Sequence, residues 1–177
     1  MIQNIQNFDL SIFNWTHSLA GKSRLLDFFG IIMADYSGYL LVLIAFILFL
    51  SEADLRKKFS YYATLVLSVI FSRGIITEFF RFVYTSPRPF AALNFSPLVN
   101  GENGNSFPSG HAAFFFAIAG TVWLFNKKWG RRFLGVAVLM GLARIFAGVH
   151  WPSDILGGAI IGLFSAWLAD RTLSAKK

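Results

Sequence analysis

The sequence predicts an all-α protein, a polytopic transmembrane helix bundle of about five spans plus an N-terminal interfacial helix, six helices in all. Of its 177 residues, 55% are hydrophobic and only 14% are charged, whereas soluble domains carry about 25% charged residues. The apolar residues gather in runs close to the length that a helix needs to cross a bilayer core, about 20 residues. We therefore expect one integral-membrane domain covering residues 1–177.

The first predicted helix lies within residues 1–22. Its apolar side chains, such as Phe8 and Trp15, are interrupted by Asn, Gln and Asp. Polar side chains are costly in hydrocarbon, while Trp favours the headgroup level. This segment is therefore expected to lie in the membrane interface rather than to span the bilayer.

Five spans follow, at residues 23–50, 59–84, 109–125, 133–149 and about 153–168. A polar connector at 51–58 separates the first two, and a basic turn at 126–132 separates the third from the fourth. The glycines of the fifth span, Gly157, Gly158 and Gly162, favour close contact with another helix.

Three charged residues lie well inside the predicted spans. Asp35 is in the first span, where the helix is expected to break, and Arg73 and Glu78 are in the second. An unpaired charge inside a membrane is costly, so we expect the three to pair with one another within the bundle. A role in substrate entry is the alternative.

The basic residues predict the orientation of the bundle. Short loops rich in Lys and Arg stay in the cytoplasm. The opposite, outer side then receives the 85–107 loop, His111 and His150. A connection of about twenty residues is more often functional than idle. When the spans alternate, ten of the 16 Lys and Arg residues fall on the cytoplasmic side: Arg56, Lys57, Lys58, Lys127, Lys128, Arg131, Arg132, Arg171, Lys176 and Lys177.

Three polar motifs fall on the outer side, and the first consists of Arg81, six further residues and then Arg88-Pro89. Pro87 and Pro89 are expected to end the second span before Arg88, which lets Arg88 fold back towards Arg81. Two interpretations are open. The guanidinium groups bind a phosphate, or they only reach lipid headgroups from a helix end.

The second motif is Pro108-Ser109-Gly110-His111, at the start of the third span. Proline is tolerated in a first helical turn, whose amides have no intrahelical partner. Those amides and the helix dipole attract an anion, which Gly110 lets approach closely. The alternative is structural, with Ser106 or Ser109 as a helix cap and His111 as an interfacial residue.

The third motif consists of Arg144, then His150 and then Asp154. Pro152 suits a first helical turn, so His150 lies just before the fifth span and Asp154 lies in its first turn. At this separation a carboxylate can hydrogen-bond one imidazole nitrogen and so orient the other. The alternative is a chance cap by Ser153 or Asp154, which leaves the arginine and the histidine unexplained.

Together the motifs supply what metal-free phosphoryl transfer needs. Three arginines can hold phosphoryl oxygens, two histidines can act as nucleophile and acid, and one aspartate can fix the nucleophile's tautomer. We expect no cofactor and no metal, because the surrounding cations would repel a divalent ion, and the chain has no cysteine. The +7 net charge does not indicate a nucleic-acid partner, since no basic face interleaved with polar residues accompanies it.

In their order and spacing, and in the spans between them, the three motifs resemble the signature segments of the type 2 phosphatidic acid phosphatase family over residues 50–172. Two positions depart from the usual pattern. Arg81 stands where the family most often has Lys, and Ala143 where it often has Ser. Arg keeps the charge of Lys but not its geometry, so phosphate binding is expected to survive.

The resemblance implies a role for each motif. His150 would attack phosphorus and carry a phosphohistidine, with Asp154 hydrogen-bonded to it. His111 would protonate the leaving group and then activate water. The remaining residues would bind the phosphoryl oxygens: Arg81, Arg88, Ser109, Gly110 and Arg144.

The Ser86-Pro87-Arg88-Pro89-Phe90 segment, the short chain and the N-terminal helix resemble small bacterial undecaprenyl-diphosphate phosphatases. The resemblance implies a bacterial inner-membrane enzyme, surrounded by membrane lipids, whose site faces the outside. The expected substrate is a lipid phosphate or diphosphate, with undecaprenyl diphosphate ahead of phosphatidylglycerophosphate, phosphatidic acid and lipid A phosphates. The 90–107 loop, nearly uncharged apart from Glu102, does not indicate the headgroup.

Two alternatives come from other classes. A lipid-binding protein or flippase on the same fold would use the cations to hold a headgroup, although binding alone needs no histidine pair. A channel would require polar stripes along several spans, and the sequence shows only isolated charges there.

Overall fold

The computed structural model describes residues 2–101 and 104–174, with side chains from residue 6 onward. Every regular element in these ranges is a helix, which confirms the predicted all-α class. Glu102, Lys176 and Lys177, which the sequence assigned to a loop and a basic tail, lie outside the described residues.

The described part of the chain forms seven helices, one more than predicted. The additional helix, α4, forms inside the long loop. Pro89 is its first residue, where a fixed φ is favourable, and Asn94 ends it in the left-handed conformation at φ 55°. The helices are α1 (Ile2–His17), α2 (Arg24–Leu50), α3 (Leu55–Val83), α4 (Pro89–Leu93), α5 (Gly110–Phe125), α6 (Lys127–Phe146) and α7 (Pro152–Ser174).

In the described ranges, α2, α3 and α7 are the helices long and apolar enough to cross a membrane. The apolar helix α5 has 16 residues and is therefore about 24 Å long. Helix α6 has 20 residues, but its first turns carry four basic side chains. The five helices together form the bundle.

Two predicted connectors are shorter than expected, because helices begin inside them. The prediction of a basic turn at 126–132 is wrong. Asn126 caps α6, accepting a first-turn backbone N–H at 3.1 Å, and the basic residues belong to the helix. The connector at 51–58 likewise ends at Asp54, whose side chain caps α3. Asn and Asp are favoured N-caps, so both boundaries carried a signal in the sequence.

Helices α2 and α3 each contain one wide turn of π-helix, at Ile32–Tyr36 and Ile70–Ile76. Asp35 lies in the first wide turn and Arg73 in the second. Helix α2 therefore does not break at Asp35, as the sequence suggested, but widens there. Isolated π turns inside α-helices often occur at functional sites.

Helix α5 is central and packs most extensively against α7. A Cβ at Gly158 would lie 2.6 Å from the Ser109 carbonyl oxygen, and one at Gly162 would lie 2.5 Å from that of Ala113. Only a hydrogen fits at these positions. The contacts confirm the close helix approach predicted from the glycines, and they show that α5 and α7 run parallel. Gly157 instead faces an aromatic ring in the loop that precedes α5.

The two ends of the bundle differ in charge. At one end the turn between α2 and α3 meets the α5–α6 junction, where the rings of Tyr61 and Phe125 have centroids 4.7 Å apart. The described basic residues of the predicted cytoplasmic side, at 56–58, 127–132 and 171, belong to the helix ends that meet here. The three polar motifs lie at the other end.

Helix α1 packs at the motif end, against α6 and α7. Asp9 caps α7 by accepting from the Ser153 N–H at 2.8 Å and from its hydroxyl at 2.6 Å. Burial raises the pKa of Asp9, and the two bonds to Ser153 oppose that shift. His17 Nδ1 lies 2.8 Å from the Phe146 carbonyl oxygen. The interfacial position of α1 in the membrane stays a prediction.

Candidate active site

The three motifs meet around one cavity of about 480 Å³, where α3 ends and α5 and α7 begin. Two charged residues from the wide turns, Asp35 and Arg73, also line this cavity. Ser109 and Asp154 are buried behind its wall. Six of the eight predicted site residues line it: Arg81, Arg88, Gly110, His111, Arg144 and His150.

His150 and Asp154 form a buried pair at the start of α7. Each is 1% exposed, and His150 Nδ1 lies 3.3 Å from Asp154 Oδ2. The same carboxylate oxygen accepts from the Trp151 N–H at 2.8 Å and from the Ser106 hydroxyl. Because Nδ1 faces the carboxylate, Nε2 is the imidazole nitrogen left for a ligand.

His150 lies in the turn between α6 and α7, outside the spans, and its pKa is well below the ordinary value. Burial is the main cause, because it disfavours the charged imidazolium. The guanidinium groups of Arg144, Arg88 and Arg81 lower the pKa further. The imidazole is therefore neutral at pH 7, which is the state a nucleophile needs.

Arg144 reaches the cavity from the last turn of α6 and is 4% exposed. Its Nη1 donates to Asp35 Oδ1 at 3.2 Å and to the Ala34 carbonyl oxygen at 3.3 Å, so the wide turn of α2 positions it. The predicted pairing among the intramembrane charges is confirmed for Arg73 and Glu78, which form an ion pair. It is wrong for Asp35, which pairs across the bundle with Arg144.

Arg81 and Arg88 approach the cavity from α3 and from the loop. Helix α3 ends at Val83, before the prolines, as predicted. Arg88 then precedes α4 as its N-cap residue and is 5% exposed. Arg81 Nη1 lies 3.4 Å from Glu78 Oε1, and its Nη2 lies 3.5 Å from the Pro108 carbonyl oxygen. The Pro-rich turn thus brings both guanidinium groups to one cavity.

Sequence reasoning missed the roles of two residues before the second motif. Asn105 joins the loop to the end of α3, because its Oδ1 accepts from the Ser86 N–H at 2.6 Å and its Nδ2 donates to the Arg81 carbonyl oxygen at 2.8 Å. Ser106, considered as a helix cap, instead donates to Asp154. The only signal in the sequence was a pair of consecutive polar residues shortly before Pro108. Such pairs also occur in ordinary loops.

Ser109 is buried and caps a helix, and it does not line the cavity. Helix α5 begins at Gly110, so Pro108 lies before the first turn in which the sequence placed it. Ser109 Oγ accepts from the Ala112 N–H at 3.4 Å, which confirms the cap interpretation for this residue. Its backbone N–H donates to the Asp154 carbonyl oxygen at 3.1 Å, so this amide is already used within the protein.

The arrangement suits one kind of chemistry. Guanidinium groups match phosphoryl oxygens in a bidentate fashion, and a neutral imidazole oriented by a carboxylate can attack phosphorus. Among the described residues, four arginines and two histidines line a cavity inside a membrane helix bundle. The fold and the site together define a membrane-embedded phosphohydrolase.

Comparison with known proteins identifies the family. Residues 61–176 match the PAP2 superfamily, and the chain belongs to this superfamily, as the three motifs predicted. It is 30% identical to the bacitracin transport permease protein BcrC of Bacillus licheniformis, over 95% of this chain and 84% of that protein. It is also 30% identical to the undecaprenyl-diphosphatase BcrC of Bacillus subtilis, over 90% of this chain and 81% of that protein.

Two further similarities extend over most of the chain. The lipid A 4'-phosphatase of Bacteroides thetaiotaomicron is 30% identical, over 95% of this chain and 78% of that protein. The crystal structure of Aquifex aeolicus LpxE superposes with a TM-score of 0.75 at 28% identity, covering 92% of this chain and 94% of that chain. The multi-pass membrane fold is therefore shared with solved structures along nearly its full length.

Proposed function

We propose that this lipid phosphatase hydrolyses undecaprenyl diphosphate to undecaprenyl phosphate through a phosphohistidine intermediate, and that it does so at the outer face of the bacterial inner membrane. The proposal is carried by the buried His150–Asp154 pair, which stands among arginines beside a cavity that is partly lined by apolar side chains. Similarity to the Bacillus subtilis undecaprenyl-diphosphatase supports the substrate. We further propose that residues 1–177 form one domain, with the family motifs inside 50–172.

In the proposed first step, His150 Nε2 attacks the terminal phosphorus. An N–P bond forms, the P–O bond to the bridging oxygen breaks, and its electron pair leaves with the lipid monophosphate. His111, which lines the same cavity, donates a proton to that oxygen. In the second step His111 takes a proton from water and the water oxygen bonds to phosphorus. The N–P bond breaks, its electron pair returns to His150 Nε2, and inorganic phosphate is released.

The other motif residues bind and position. Arg81, Arg88 and Arg144 hold the phosphoryl oxygens and offset the charge that develops in the transition state. The amide of Gly110 at the start of α5 adds a donor. Asp154 fixes the imidazole tautomer. Ser109, predicted as a phosphate ligand, acts in this proposal through its hydrogen bonds to the protein, and no metal takes part.

A lipid substrate is favoured by an apolar groove of about 270 Å³ that continues from the cavity between α2 and α3. Val42 and Phe114 line both the groove and the cavity. A prenyl tail in this groove would place its phosphates at the arginines. From Ile70, near the cavity, the groove extends along α3 past Val66 to Tyr62.

The proposed orientation follows from the charges at the two ends. The described basic clusters lie at the end opposite the cavity, and such clusters stay in the cytoplasm. Because the chain has no cysteine, single-cysteine variants report the topology. Leu93→Cys is expected to react with a membrane-impermeant maleimide in intact cells, and Lys128→Cys only after permeabilisation. The reverse labelling pattern would overturn the outward-facing site.

A substrate panel tests the function. Initial rates of phosphate release by purified protein would be compared for undecaprenyl diphosphate, phosphatidylglycerophosphate, phosphatidic acid and lipid A, with and without EDTA. We expect a clear preference for the prenyl diphosphate and no effect of EDTA. A preference for another lipid would reassign the substrate to one of the alternatives, and loss of activity with EDTA would overturn the metal-independent mechanism.

One observation favours a second candidate, because the Bacillus licheniformis relative is named a transport permease. A protein that binds or moves a lipid headgroup without chemistry would need the arginines but not the histidine pair. Wild-type protein that binds undecaprenyl diphosphate in a separate binding measurement, and releases phosphate from no lipid of the panel, would support this candidate and overturn the hydrolase.

A further inference from the structure

Arg73 is an intramembrane cation that none of the three motifs explains. It lies in the wide turn Ile70–Ile76 of α3 and lines the cavity together with the motif residues. Arg81 follows it by eight residues along the helix, and both side chains reach one carboxylate, because Arg73 Nη1 pairs with Glu78 Oε1 and Arg81 Nη1 lies 3.4 Å from the same oxygen. A charge inside a span is costly and most often marks a substrate or ion pathway.

Along α3, Arg73 lies between the two parts of the lipid site. Val69 and Ile70 line the apolar groove, Arg73 lines the cavity, and Arg81 lines it nearer the end of the helix. A lipid diphosphate presents its groups in the order tail, lipid-linked phosphate, terminal phosphate. The side chains of α3 present the complementary order of apolar groove, Arg73 and Arg81.

The Arg73 guanidinium packs on the first residue of α5. A Cβ at Gly110 would lie 2.7 Å from Arg73 Nε and 3.2 Å from its Cζ. The guanidinium therefore stands next to His111, the residue proposed to protonate the leaving group. When the substrate is a diphosphate, the leaving group is itself a phosphate, and a cation at this position offsets its charge.

Glu78 forms an ion pair with Arg73. The ion pair uses Nη1 of Arg73, and a guanidinium has five N–H donors in all. The side chains of Arg73 and Glu78 are 42% and 50% exposed, and Arg73 lines the cavity, so a ligand there can reach the guanidinium. A phosphate can therefore share or replace the Glu78 contact.

We propose that Arg73 forms a second phosphate subsite, which binds the lipid-linked phosphate of a diphosphate substrate; the proposal rests on the lipid-phosphatase function described above. As the N–P bond to His150 forms and the bridging P–O bond breaks, the electron pair passes to the lipid monophosphate. Arg73 stabilises that product as it leaves. The subsite selects diphosphates over monophosphates that carry the same tail.

The test compares farnesyl diphosphate with farnesyl phosphate, which differ by one phosphate and share a tail. Arg73→Gln is expected to lower kcat/KM for the diphosphate by about 10- to 100-fold, the value of one charge-assisted hydrogen-bonding group. For the monophosphate the loss should stay below about threefold. Arg73→Lys keeps the charge but not the planar guanidinium that can bind two oxygens at once, so it should retain part of the diphosphate activity that Arg73→Gln loses.

A binding readout separates recognition from folding. Inhibition by methylenediphosphonate, relative to methylphosphonate, should weaken in Arg73→Gln by a similar factor. Arg131→Gln is the matched control, because Arg131 is exposed at the opposite end of the bundle, and it should leave both substrates unaffected. If Arg73→Gln does not fold, Arg73→Lys carries the test, with a loss confined to the diphosphate.

The outcomes distinguish this inference from the proposed function. Wild-type protein that cleaves neither farnesyl lipid, nor any member of the substrate panel, would overturn the proposed function. Wild-type protein that prefers the diphosphate, with Arg73 variants that lose both substrates equally or lose neither, would overturn the second subsite alone.

Discussion

The packed half of the bundle, α5 to α7, and the lipid-facing half, α2 and α3, hold their charged residues differently. In the most apolar segments of α2 and α3 only 22% of the residues are buried, against 50% in α7. The packed half holds Arg144, His150 and Asp154 at 4% exposure or less. The lipid-facing half carries Asp35 and Arg73 in wide turns at the cavity edge.

This difference indicates which half of the bundle suits catalysis and which suits lipid recognition. A nucleophile must be held in one geometry, which requires neighbours on every side and satisfied hydrogen bonds. A lipid must enter from the bilayer, which requires a side with few protein neighbours. We infer that the packed half provides the chemistry and that the lipid-facing half recognises the substrate.

Removing the nucleophile of the packed half should have the largest effect on activity. His150→Ala is expected to lower phosphate release by at least about 10⁴-fold, because the covalent route is lost. His111→Ala should abolish turnover in the same assay on purified protein. Thr172→Ala, on an exposed position at the far end of α7, is the control. Full activity after either histidine change would exclude the proposed mechanism.

The packing contrast can be tested with two glycines. A Cβ at Gly162 of α7 would lie 2.5 Å from a backbone oxygen of α5, whereas one at Gly74 of α3 would meet open space. Gly162→Ala is expected to lower the free energy of unfolding by about 1–3 kcal/mol, and Gly74→Ala to change it by less than about 1 kcal/mol. Thermal unfolding in detergent measures both. Equal shifts in Tm would contradict the division into two halves.

Filling the groove should affect long lipids selectively. Val66 lines the groove and is 38% exposed, so Val66→Trp can occupy the groove without disturbing the core. We expect about a tenfold fall in kcat/KM for undecaprenyl diphosphate and little change for dimethylallyl diphosphate. Val138→Trp, on the exposed face of α6, is the matched control. Equal losses for both substrates would argue against a tail in the groove.

The smallest expected effect concerns pH. The folded-state pKa of His150 lies below the ordinary 6.5, so the nucleophile stays neutral as the pH falls through 6.5. We expect kcat/KM to remain within about twofold between pH 7.5 and 6.0, with its acid limb at lower pH. The ionisation state of the substrate, measured by phosphorus NMR over the same pH range, is used to correct the values of kcat/KM. An acid limb at or above pH 6.5 after that correction would contradict a buried, neutral His150.

Much of the fold could be predicted because it depends on local properties. Hydropathy located the helices of the bundle, the prolines located the end of α3, and Gly158 and Gly162 predicted a close helix contact. The basic turn at 126–132 was wrong because charge was given more weight than the cap at Asn126. Long basic side chains can leave a helix end and reach the headgroups, so their charge does not exclude a helix.

The candidate site was predictable only in part. The motif residues could be named from their types and spacing, because phosphate binding and imidazole orientation constrain both. The partners of those residues could not. Asp35 and Arg144 are 109 residues apart in the chain, and Ser106 and Asp154 are 48 apart.

The sequence by itself determined an all-α membrane bundle, the end at which its three polar motifs collect, and the family that those motifs indicate. Hydropathy, helix caps and residue chemistry act over a few neighbours along the chain. Only the tertiary structure decided that Asp35 holds Arg144, that Ser106 supports Asp154, and that Arg73 stands where the groove meets the cavity. Those contacts form between side chains that helix packing brings within about 3 Å, and distance along the chain carries no information about them.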